Sequence, residues 1–205
     1  MIRRDVIVIG CSAGGIQALQ DLVPQFPPGL EASIFVTIHL LPTVQSRLPD
    51  ILNHVGPLRA VHPSSGQPVE YGMIYVAPPD HHMMIEDNRV QLWRGPKENQ
   101  HRPAINPLFR SAAFARGVRV AGVILTGTLD DGSAGLWMVK RHGGVAIVQD
   151  PQEAEYPEMV RSAIEYVEVD HVVTLSQMGS LLAGLANGTK QPQVPGISTP
   201  GEVVS

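Results

Sequence analysis

Cysteine is nearly absent from this sequence, which has only Cys11 among its 205 residues. No disulfide can form within the chain, and such sparse use of cysteine is typical of proteins from a reducing compartment. Charge is also scarce, because charged residues make up 17% of the chain and the formal net charge is −4. Without a basic excess the chain cannot displace the counterions of a phosphate backbone, so the composition argues against a nucleic-acid partner.

Long apolar runs are missing as well. No segment approaches the roughly 20 apolar residues that a membrane span requires. The apolar stretch after Asp5 is too short for a secretory signal. The shortage of positive charge also argues against a polybasic protein of the membrane surface. We therefore expect a cytoplasmic protein that is not inserted into a membrane.

The apolar residues that are present suffice for one core. Hydrophobic residues make up 43% of the chain, and 205 residues suit a single domain. From Asn187 onward the composition changes to Gly, Pro, Ser, Thr and Gln, with few large apolar residues. The sequence therefore predicts a folded domain over 1–186 and a flexible C-terminal tail over 187–205.

Buried strands alternate with helical segments along most of the chain. Short β-branched and apolar runs predict strands at Val6–Ile9, Ser33–Ile38, Val118–Leu125, Val145–Val148 and Val172–Leu175. Helical apolar spacing with proline or glycine stops predicts helices at Gly14–Val23, around Leu48–Leu52, and at Ile105–Arg116, Ser133–His142, Pro157–Tyr166 and Met178–Leu185. Repeated βα units predict an α/β fold, with a doubly wound, mostly parallel sheet and helices on both faces.

The middle of the chain has a different pattern. Turn residues separate short predicted strands at Val69, Met73–Val76, Met83–Ile85 and Val90–Trp93. Asp87-Asn88 is typical of a hairpin tip. We interpret this part as a peripheral antiparallel hairpin, followed by a polar loop from Arg94 to Pro103.

Three reactive side chains follow predicted strands of the main sheet. Ser12 comes after the first strand, His39 after the second, and the pair Asp130-Asp131 after the strand that ends at Leu125. Ligands of open α/β sheets bind at the carboxyl ends of the strands, so these side chains should meet at one edge. A histidine can take the proton of a serine hydroxyl, and a buried carboxylate can orient that histidine. The pattern therefore favours a serine hydrolase.

Each of these residues also has an ordinary structural interpretation. Ser12 alone is typical of a helix N-cap, and His39 alone of a hydrogen-bonded residue at a strand end. The Asp130-Asp131-Gly132 segment alone is typical of a turn and helix cap. The signal lies in the combination of all three at the ends of strands in one sheet.

Other chemistries fit the sequence less well. The first loop reads Gly-x-x-x-Gly-Gly rather than Gly-x-Gly-x-x-Gly, and His39 stands where a ribose-binding acid would be expected, so NAD or FAD is disfavoured. No Gly-Lys-Ser/Thr phosphate loop follows a strand. The eight histidines show no repeated ligand spacing, and Cys11 is interpreted as a packing residue. We predict no metal and no cofactor.

Several short motifs together resemble the catalytic domain of the protein-glutamate methylesterases of bacterial chemotaxis, which are also glutamine deamidases. The matching stretches are Val-Ile-Gly-Cys-Ser-Ala-Gly-Gly (8–15), Ile-His-Leu (38–40), Ile-Tyr-Val-Ala-Pro (74–78), His-Arg-Pro (101–103), Leu-Phe-Arg-Ser-Ala-Ala (108–113), Gly-Val-Ile-Leu-Thr-Gly (122–127), Asp-Gly-Ser-Ala-Gly (131–135) and Gln-Asp (149–150). The resemblance extends from about Val6 to Leu185.

The resemblance implies a role for each of the three reactive side chains. It identifies Ser12 as the nucleophile, His39 as the base and Asp131, the second of the two aspartates, as the orienting acid. It also implies that the backbone amides of Ala13 and Thr128 donate to the oxyanion.

The resemblance further implies the partner, a methyl-accepting chemotaxis receptor whose glutamyl side chains lie on rigid helices. The site should therefore be a shallow cleft. Arg102 and Arg110 are candidate substrate-binding residues that could contact an acidic receptor surface, or they could form structural ion pairs instead.

The sequence departs from the family pattern in three ways. The family usually has threonine where Ala13 stands, and Gly-Met-Gly where this chain has Gly127-Thr128-Leu129. It typically also has an N-terminal phospho-acceptor (receiver) domain, whereas this sequence starts at the first catalytic strand, so a receiver protein acting in trans is one expectation. The alternative function is a receptor-binding module of the same fold with weak or no catalysis.

Overall fold

The computed structural model describes residues 2–40, 43 and 45–188. Its strands are β1 (Val6–Cys11), β2 (Ser33–Ile38), β3 (Arg59–Val61), β4 (Gln67–Pro68), β5 (Met73–Val76), β6 (His82–Glu86), β7 (Arg89–Trp93), β8 (Val120–Ile124), β9 (Val145–Gln149) and β10 (His171–Val173). Its α-helices are α1 (Gly15–Leu22), α2 (Leu48–Val55), α3 (Ile105–Arg116), α4 (Ser133–Arg141), α5 (Glu158–Tyr166) and α6 (Leu175–Asn187), with single 3₁₀ turns at Val23–Gln25 and Gly117–Arg119.

Seven strands form one sheet in the order β10-β9-β8-β1-β2-β5-β3, and every pairing within it is parallel. Chain order runs outward from β1 through β8, β9 and β10 on one side and through β2 on the other, where β5 comes next and β3 forms the edge. Strands added on both sides of β1 give the doubly wound arrangement. The predicted fold class is therefore confirmed.

Helices cover both faces of this sheet because successive strand residues point to opposite sides. Ile7 and Ile9 of β1 belong to one buried cluster, which also receives apolar side chains of α1, α2 and α6. Val6 and Val8 belong to the other cluster, which is covered by α3, α4 and α5. The β-branched runs recognised in the sequence are thus buried on both sides.

The register of the central strands places their carboxyl ends side by side. Cys11 at the end of β1 pairs with Ile38 at the end of β2, and Gly10 pairs with Ile124 at the end of β8. The chain order reverses between β8 and β1, so the loops after these three strands surround a topological switch point.

A small antiparallel sheet in the order β4-β7-β6 lies outside the main sheet. Asp87 and Asn88 form its tip with φ values of 46° and 61°, the left-handed conformation that Asn and Asp tolerate best among non-glycine residues. The predicted peripheral hairpin is confirmed here.

The interpretation of the middle segment was wrong for Met73–Val76. This strand is not antiparallel and peripheral, since it pairs in parallel with β2 on one side and β3 on the other. Its residues Ile74–Val76 are buried as in the other strands of the main sheet, but local pattern does not reveal the pairing partner. The edge strand Arg59–Val61 was not predicted, because three residues that include an exposed arginine give little signal.

Several predicted boundaries also shift. Val118 and Arg119 belong to a 3₁₀ turn before β8, and Val69 lies just beyond the end of β4. Leu175 is not a strand residue but begins α6, where Thr174 and Gln177 form a capping box. The proposed domain and tail boundary stays a prediction, because most of the tail, 189–205, lies outside the described residues.

Candidate active site

Ser12 lies in the tight turn between β1 and α1. Its amide donates to the Thr126 carbonyl at 3.0 Å, and its own carbonyl accepts from the Gly15 amide at 2.9 Å. Gly14 follows in the left-handed conformation with φ 73°, which glycine adopts without the steric penalty of a side chain. The turn therefore fixes the Ser12 backbone from two sides and leaves its hydroxyl for the site.

His39 follows β2 and connects the other two side chains. Its Nδ1 lies 3.0 Å from Ser12 Oγ, and its Nε2 lies 2.8 Å from Asp131 Oδ2. An ionised carboxylate only accepts hydrogen bonds, so Nε2 is assigned as the N–H donor and Nδ1 is left to accept from the hydroxyl. Nδ1 thus has the orientation of a base toward Ser12.

Asp131 is almost completely buried, with 1% of its surface exposed. It accepts hydrogen bonds from the Ile105 amide at 2.6 Å, the Asn106 amide at 3.3 Å and Asn99 Nδ2 at 3.0 Å, in addition to His39. Desolvation by burial would raise the pKa of Asp131. The hydrogen bond and charge of His39, together with the hydrogen bonds from the backbone amides of Ile105 and Asn106, outweigh this effect and lower the pKa below its ordinary value. The carboxylate is therefore held ionised beside the imidazole.

Asp131 also connects the site to the scaffold. The amides of Ile105 and Asn106 belong to the first turn of α3, so the carboxylate occupies the positive end of that helix. In return, Asn106 Oδ1 accepts from the amides of Gly132 and Gly135 at 3.2 and 2.7 Å, which holds the start of α4. Asp131 thus bonds the first turn of α3, while Asn106 on that helix bonds the start of α4.

The two backbone amides expected to bind the oxyanion belong to Ala13, which directly follows Ser12, and to Thr128, which directly follows Gly127. Within the described part of the chain, neither amide donates a hydrogen bond to another protein group, so both remain available to a ligand. Gly127 approaches Ser12 closely, and a Cβ added there would lie 2.9 Å from the Ser12 Cβ. A glycine is therefore required where the two loops meet.

Leu129 follows Thr128 in an unusual backbone conformation. Its φ is 64°, its side chain is 61% exposed, and its amide donates to Glu158 Oε2 at 3.2 Å. This is the position where the family usually has glycine. A leucine in the left-handed region costs about 1–2 kcal/mol, so the departure noted in the sequence coincides with local strain.

Two residues that the sequence did not single out for function also contact His39 and Asp131. The ring of His101 stacks on the ring of His39, with centroids 3.6 Å apart and planes 3° from parallel. Burial, the neighbouring His39 and Lys97 lower the pKa of His101, while Asp131 acts in the opposite direction. His101 stood within the matched His-Arg-Pro motif, and that position was the available signal. Asn99, which bonds Asp131, gave no such signal.

Both candidate substrate-binding arginines are engaged in ion pairs. Arg102 Nε donates to Asp80 Oδ1 at 2.8 Å, and the Arg102 side chain is 18% exposed. Arg110 forms a two-pronged pair with Glu98 at 2.8 and 2.7 Å. The structure therefore agrees with the ion-pair alternative for both, and a contact to a receptor stays a prediction.

A shallow groove of about 400 Å³ opens beside Ser12 and His39. Its other walls are Ala13, Gly14, Gly15, Ile16 and Gln17 around the start of α1, together with Ile38 and Leu40. Among the described residues, no group of three or more His, Cys, Asp or Glu side chains is placed to hold a metal ion. In the same part of the chain, none of the helices has the length and apolar character needed to cross a bilayer.

A serine, a histidine and a buried carboxylate in hydrogen-bond contact at the carboxyl edge of a parallel sheet form the arrangement of an α/β serine hydrolase. Similarity to known proteins narrows this class to one family. The chain belongs to the CheB methylesterase family, whose family model matches residues 7–182. The resemblance inferred from the motifs is therefore confirmed.

Relatives and a solved structure agree with this assignment. A putative protein-glutamate methylesterase/protein-glutamine glutaminase from Leptospira interrogans is 37% identical over 185 residues, which is 90% of this chain and 96% of that protein. A protein-glutamate methylesterase/protein-glutamine glutaminase from Methanosarcina mazei is 34% identical, over 85% of this chain but only 50% of that protein. The crystal structure of the Thermotoga maritima CheB methylesterase catalytic domain superposes with a TM-score of 0.85 at 30% identity, covering 90% of this chain and all of that one.

Proposed function

We propose that this protein hydrolyses the methyl esters of glutamyl side chains on chemotaxis receptors, with Ser12, His39 and Asp131 as its catalytic triad. The observation that carries the proposal is the bridging position of His39, 3.0 Å from Ser12 Oγ and 2.8 Å from Asp131 Oδ2. Membership of the CheB methylesterase family supports the substrate class.

Acylation follows from this geometry. Ser12 Oγ attacks the γ-carbonyl carbon of the ester while His39 Nδ1 accepts the hydroxyl proton. The imidazolium that forms keeps its Nε2–H on Asp131, which stabilises the positive charge. Collapse of the tetrahedral intermediate breaks the bond to the methoxy oxygen, and Nδ1 returns the proton to that oxygen as methanol leaves.

Deacylation uses the same imidazole. Nδ1 takes a proton from a water molecule, and the resulting hydroxide attacks the acyl-enzyme carbonyl. The bond to Ser12 Oγ then breaks, the serine recovers its proton, and the side chain is released as glutamate. A glutamine side chain would follow the same path with ammonia as the first leaving group.

The amides of Ala13 and Thr128 stabilise the negative charge in both steps. They are backbone groups, so the replacement of the family's threonine and methionine at these positions leaves the donors in place. Preorganised donors of this kind contribute about 2.7–4 kcal/mol each to transition-state stabilisation.

The open groove suits a side chain presented by a helix rather than a small molecule that must be enclosed. A helix can lie across the exposed start of α1 near Ile16 and Gln17 and extend one glutamyl side chain to Ser12. The cytoplasm, where we expect the protein to be found, is part of this proposal.

A receiver protein acting in trans is also part of the proposal. The chain spans nearly all of the Leptospira relative but about half of the Methanosarcina one. A phosphorylated receiver that raises the rate of methanol release when added as a separate protein would support this control, and no change in rate would count against it.

Release of methanol from methylated receptor membranes tests the proposed activity. The wild-type protein should release methanol, Ser12→Ala should reduce the rate to background, and Ser180→Ala should match the wild type. Ser180 is a suitable control because it is an exposed serine on α6 whose hydroxyl donates to the Gln177 carbonyl of the same helix.

The test also distinguishes the alternative function. Equal release by the wild type and by Ser12→Ala would overturn the catalytic triad. Binding of receptor membranes by the wild type without any methanol release would favour the receptor-binding module.

A further inference from the structure

The polar loop before α3 contains a tight turn, Glu98–His101, that lies against the triad. The Glu98 amide donates to the His101 carbonyl at 3.1 Å, and the His101 amide donates to the Glu98 carbonyl at 2.8 Å. Between them, Asn99 and Gln100 have φ values of 46° and 66°. Positive φ at both central residues is the mark of a type I′ turn, which is a defined rather than a variable conformation.

Ion pairs anchor this turn on both sides. Arg110 of α3 holds Glu98 through two hydrogen bonds of 2.8 and 2.7 Å. Arg102, directly after the turn, bonds Asp80 and the Gly95 carbonyl. The anchored turn directs two side chains to the catalytic groups, since Asn99 bonds Asp131 and His101 stacks on His39.

We propose that His101 is a positioning residue for the reaction, and that its ring holds the plane of the His39 imidazole so that Nδ1 stays directed at Ser12. The inference rests on the proposed function and deepens it. His101 makes no described hydrogen bond to Ser12 or Asp131, so its action on the chemistry passes through His39.

The reaction cycle explains why a stacked ring is needed. In the free enzyme two hydrogen bonds fix His39, one at each ring nitrogen. In the acyl-enzyme the Ser12 oxygen is esterified and no longer donates, so only the bond to Asp131 and the stacking contact remain. A flat neighbour 3.6 Å away prevents the ring from tilting while Nδ1 accepts a proton from water.

The stack functions with a neutral His101. The charged and titratable groups that face it are His39 after β2, Asp131 after β8, and Lys97 in its own loop. A proton on His101 would repel the imidazolium that forms on His39 during each half-reaction. The lowered pKa of His101 keeps the ring neutral near neutral pH.

Two substitutions distinguish the contribution of the flat His101 ring from that of its nitrogen atoms. His101→Phe keeps a flat ring, and we expect kcat within about threefold of the wild type. His101→Ala removes the ring, and we expect kcat to fall by about 10- to 100-fold without a rise in KM, because a displaced base slows the chemistry. His54→Ala, which removes an exposed histidine of α2, should match the wild type.

The pH profile of kcat provides a second kinetic readout. His101→Phe removes one of the two stacked imidazoles, so the acid side of its profile should be less steep than that of the wild type. Wild-type kcat in His101→Ala, or an equal loss in the Phe and Ala variants at unchanged melting temperature, would overturn the proposal.

A measurement on the free enzyme tests the positioning role of His101 independently of the proposed activity. In proton NMR spectra, the hydrogen-bonded Nε2–H of His39 should be visible in the wild type and in His101→Phe, and lost in His101→Ala. If the wild type released no methanol, the proposed function would fail while this spectrum still decided the positioning role. Retention of the signal in His101→Ala would contradict it.

Discussion

The carboxyl edge of the parallel sheet and the turn Glu98–His101 contact the same two side chains, His39 and Asp131, in different ways. The sheet edge supplies the reactive groups from the ends of buried strands whose register is set by the core. The turn approaches from the surface and is held by ion pairs that are partly exposed. The buried sheet thus fixes where the three side chains lie, whereas the proposed control of the His39 ring plane depends on a peripheral turn whose ion pairs are weakened by salt and by local opening.

The largest effect should come from the sheet edge, at Asp131. In Asp131→Asn the amide group can donate to His39 Nε2, which places the ring proton on Nδ1 and prevents it from accepting from Ser12. By analogy with other serine triads, kcat for methanol release should fall by about 10⁴-fold, or roughly 5 kcal/mol. The exposed neighbour Asp130 supplies the matched control, and Asp130→Asn should stay within about twofold of the wild type. Similar losses in both variants would contradict the assignment of the acid.

The next effect concerns stability in acid. The pKa of Asp131 is lowered in the folded state, so its contribution to stability is present above the ordinary aspartate value of 3.8 and is lost as the pH falls through the lower folded value. The free energy of unfolding should drop there by on the order of 2 kcal/mol, as hydrogen bonds to a charged acceptor are lost. Denaturant unfolding of the wild type, Asp131→Asn and Asp130→Asn across this range measures the effect. Asp131→Asn should have the flattest profile, and three parallel profiles would disagree with the role of the carboxylate at α3.

A smaller effect on the free energy of unfolding is expected at Leu129, and it tests backbone strain at the sheet edge. Leu129→Gly relieves the left-handed backbone, whereas Leu129→Ala removes the exposed side chain and keeps the strain. We expect the glycine variant to be more stable than the alanine variant by up to about 1 kcal/mol, since the greater freedom of glycine in the unfolded chain offsets part of the gain. Urea unfolding compares the two, and a more stable alanine variant would argue that the conformation is not strained.

The smallest effect on stability should come from the anchor of the turn. Arg110→Met breaks the partly exposed pair with Glu98, and such pairs are worth about 0–1 kcal/mol. If Arg110 acts through the turn, kcat should decrease while KM is retained, and Glu98→Gln should have the same effect. If Arg110 contacts a receptor, KM should increase in Arg110→Met and remain unchanged in Glu98→Gln. Methanol-release kinetics at two salt concentrations would distinguish these outcomes.

The part of the site on the parallel sheet could be predicted from the sequence for a physical reason. A strand buried on both faces is a continuous apolar run, and the residue that ends it must lie at the carboxyl edge. Ser12 and His39 were found in this way, and the family motifs then selected Asp131 over Asp130. The hydrogen bonds that join the three side chains are observed in the structure, while their catalytic roles stay a proposal.

The turn could not be predicted in the same way. Its conformation depends on positive φ at Asn99 and Gln100 and on pairing with Arg110, which none of the local patterns encodes. The parallel pairing of Met73–Val76 was missed for a related reason, because pairing direction is decided by distant strands. Arg102 and Arg110 were predicted as candidate substrate-binding residues with structural ion pairs as the alternative, and only the positions of Asp80 and Glu98 reveal their ion pairs.

Because Asp131 also caps a helix, replacing it should disturb the fold more than replacing Ser12. Within the described residues the Ser12 hydroxyl bonds only His39, so its removal disturbs no part of the scaffold. The Asp131 carboxylate also closes the first turn of α3, and through Asn106 that turn secures the start of α4. A descendant that abandoned hydrolysis and kept only receptor binding would therefore be recognisable by drift at position 12, while an acid persisted at position 131.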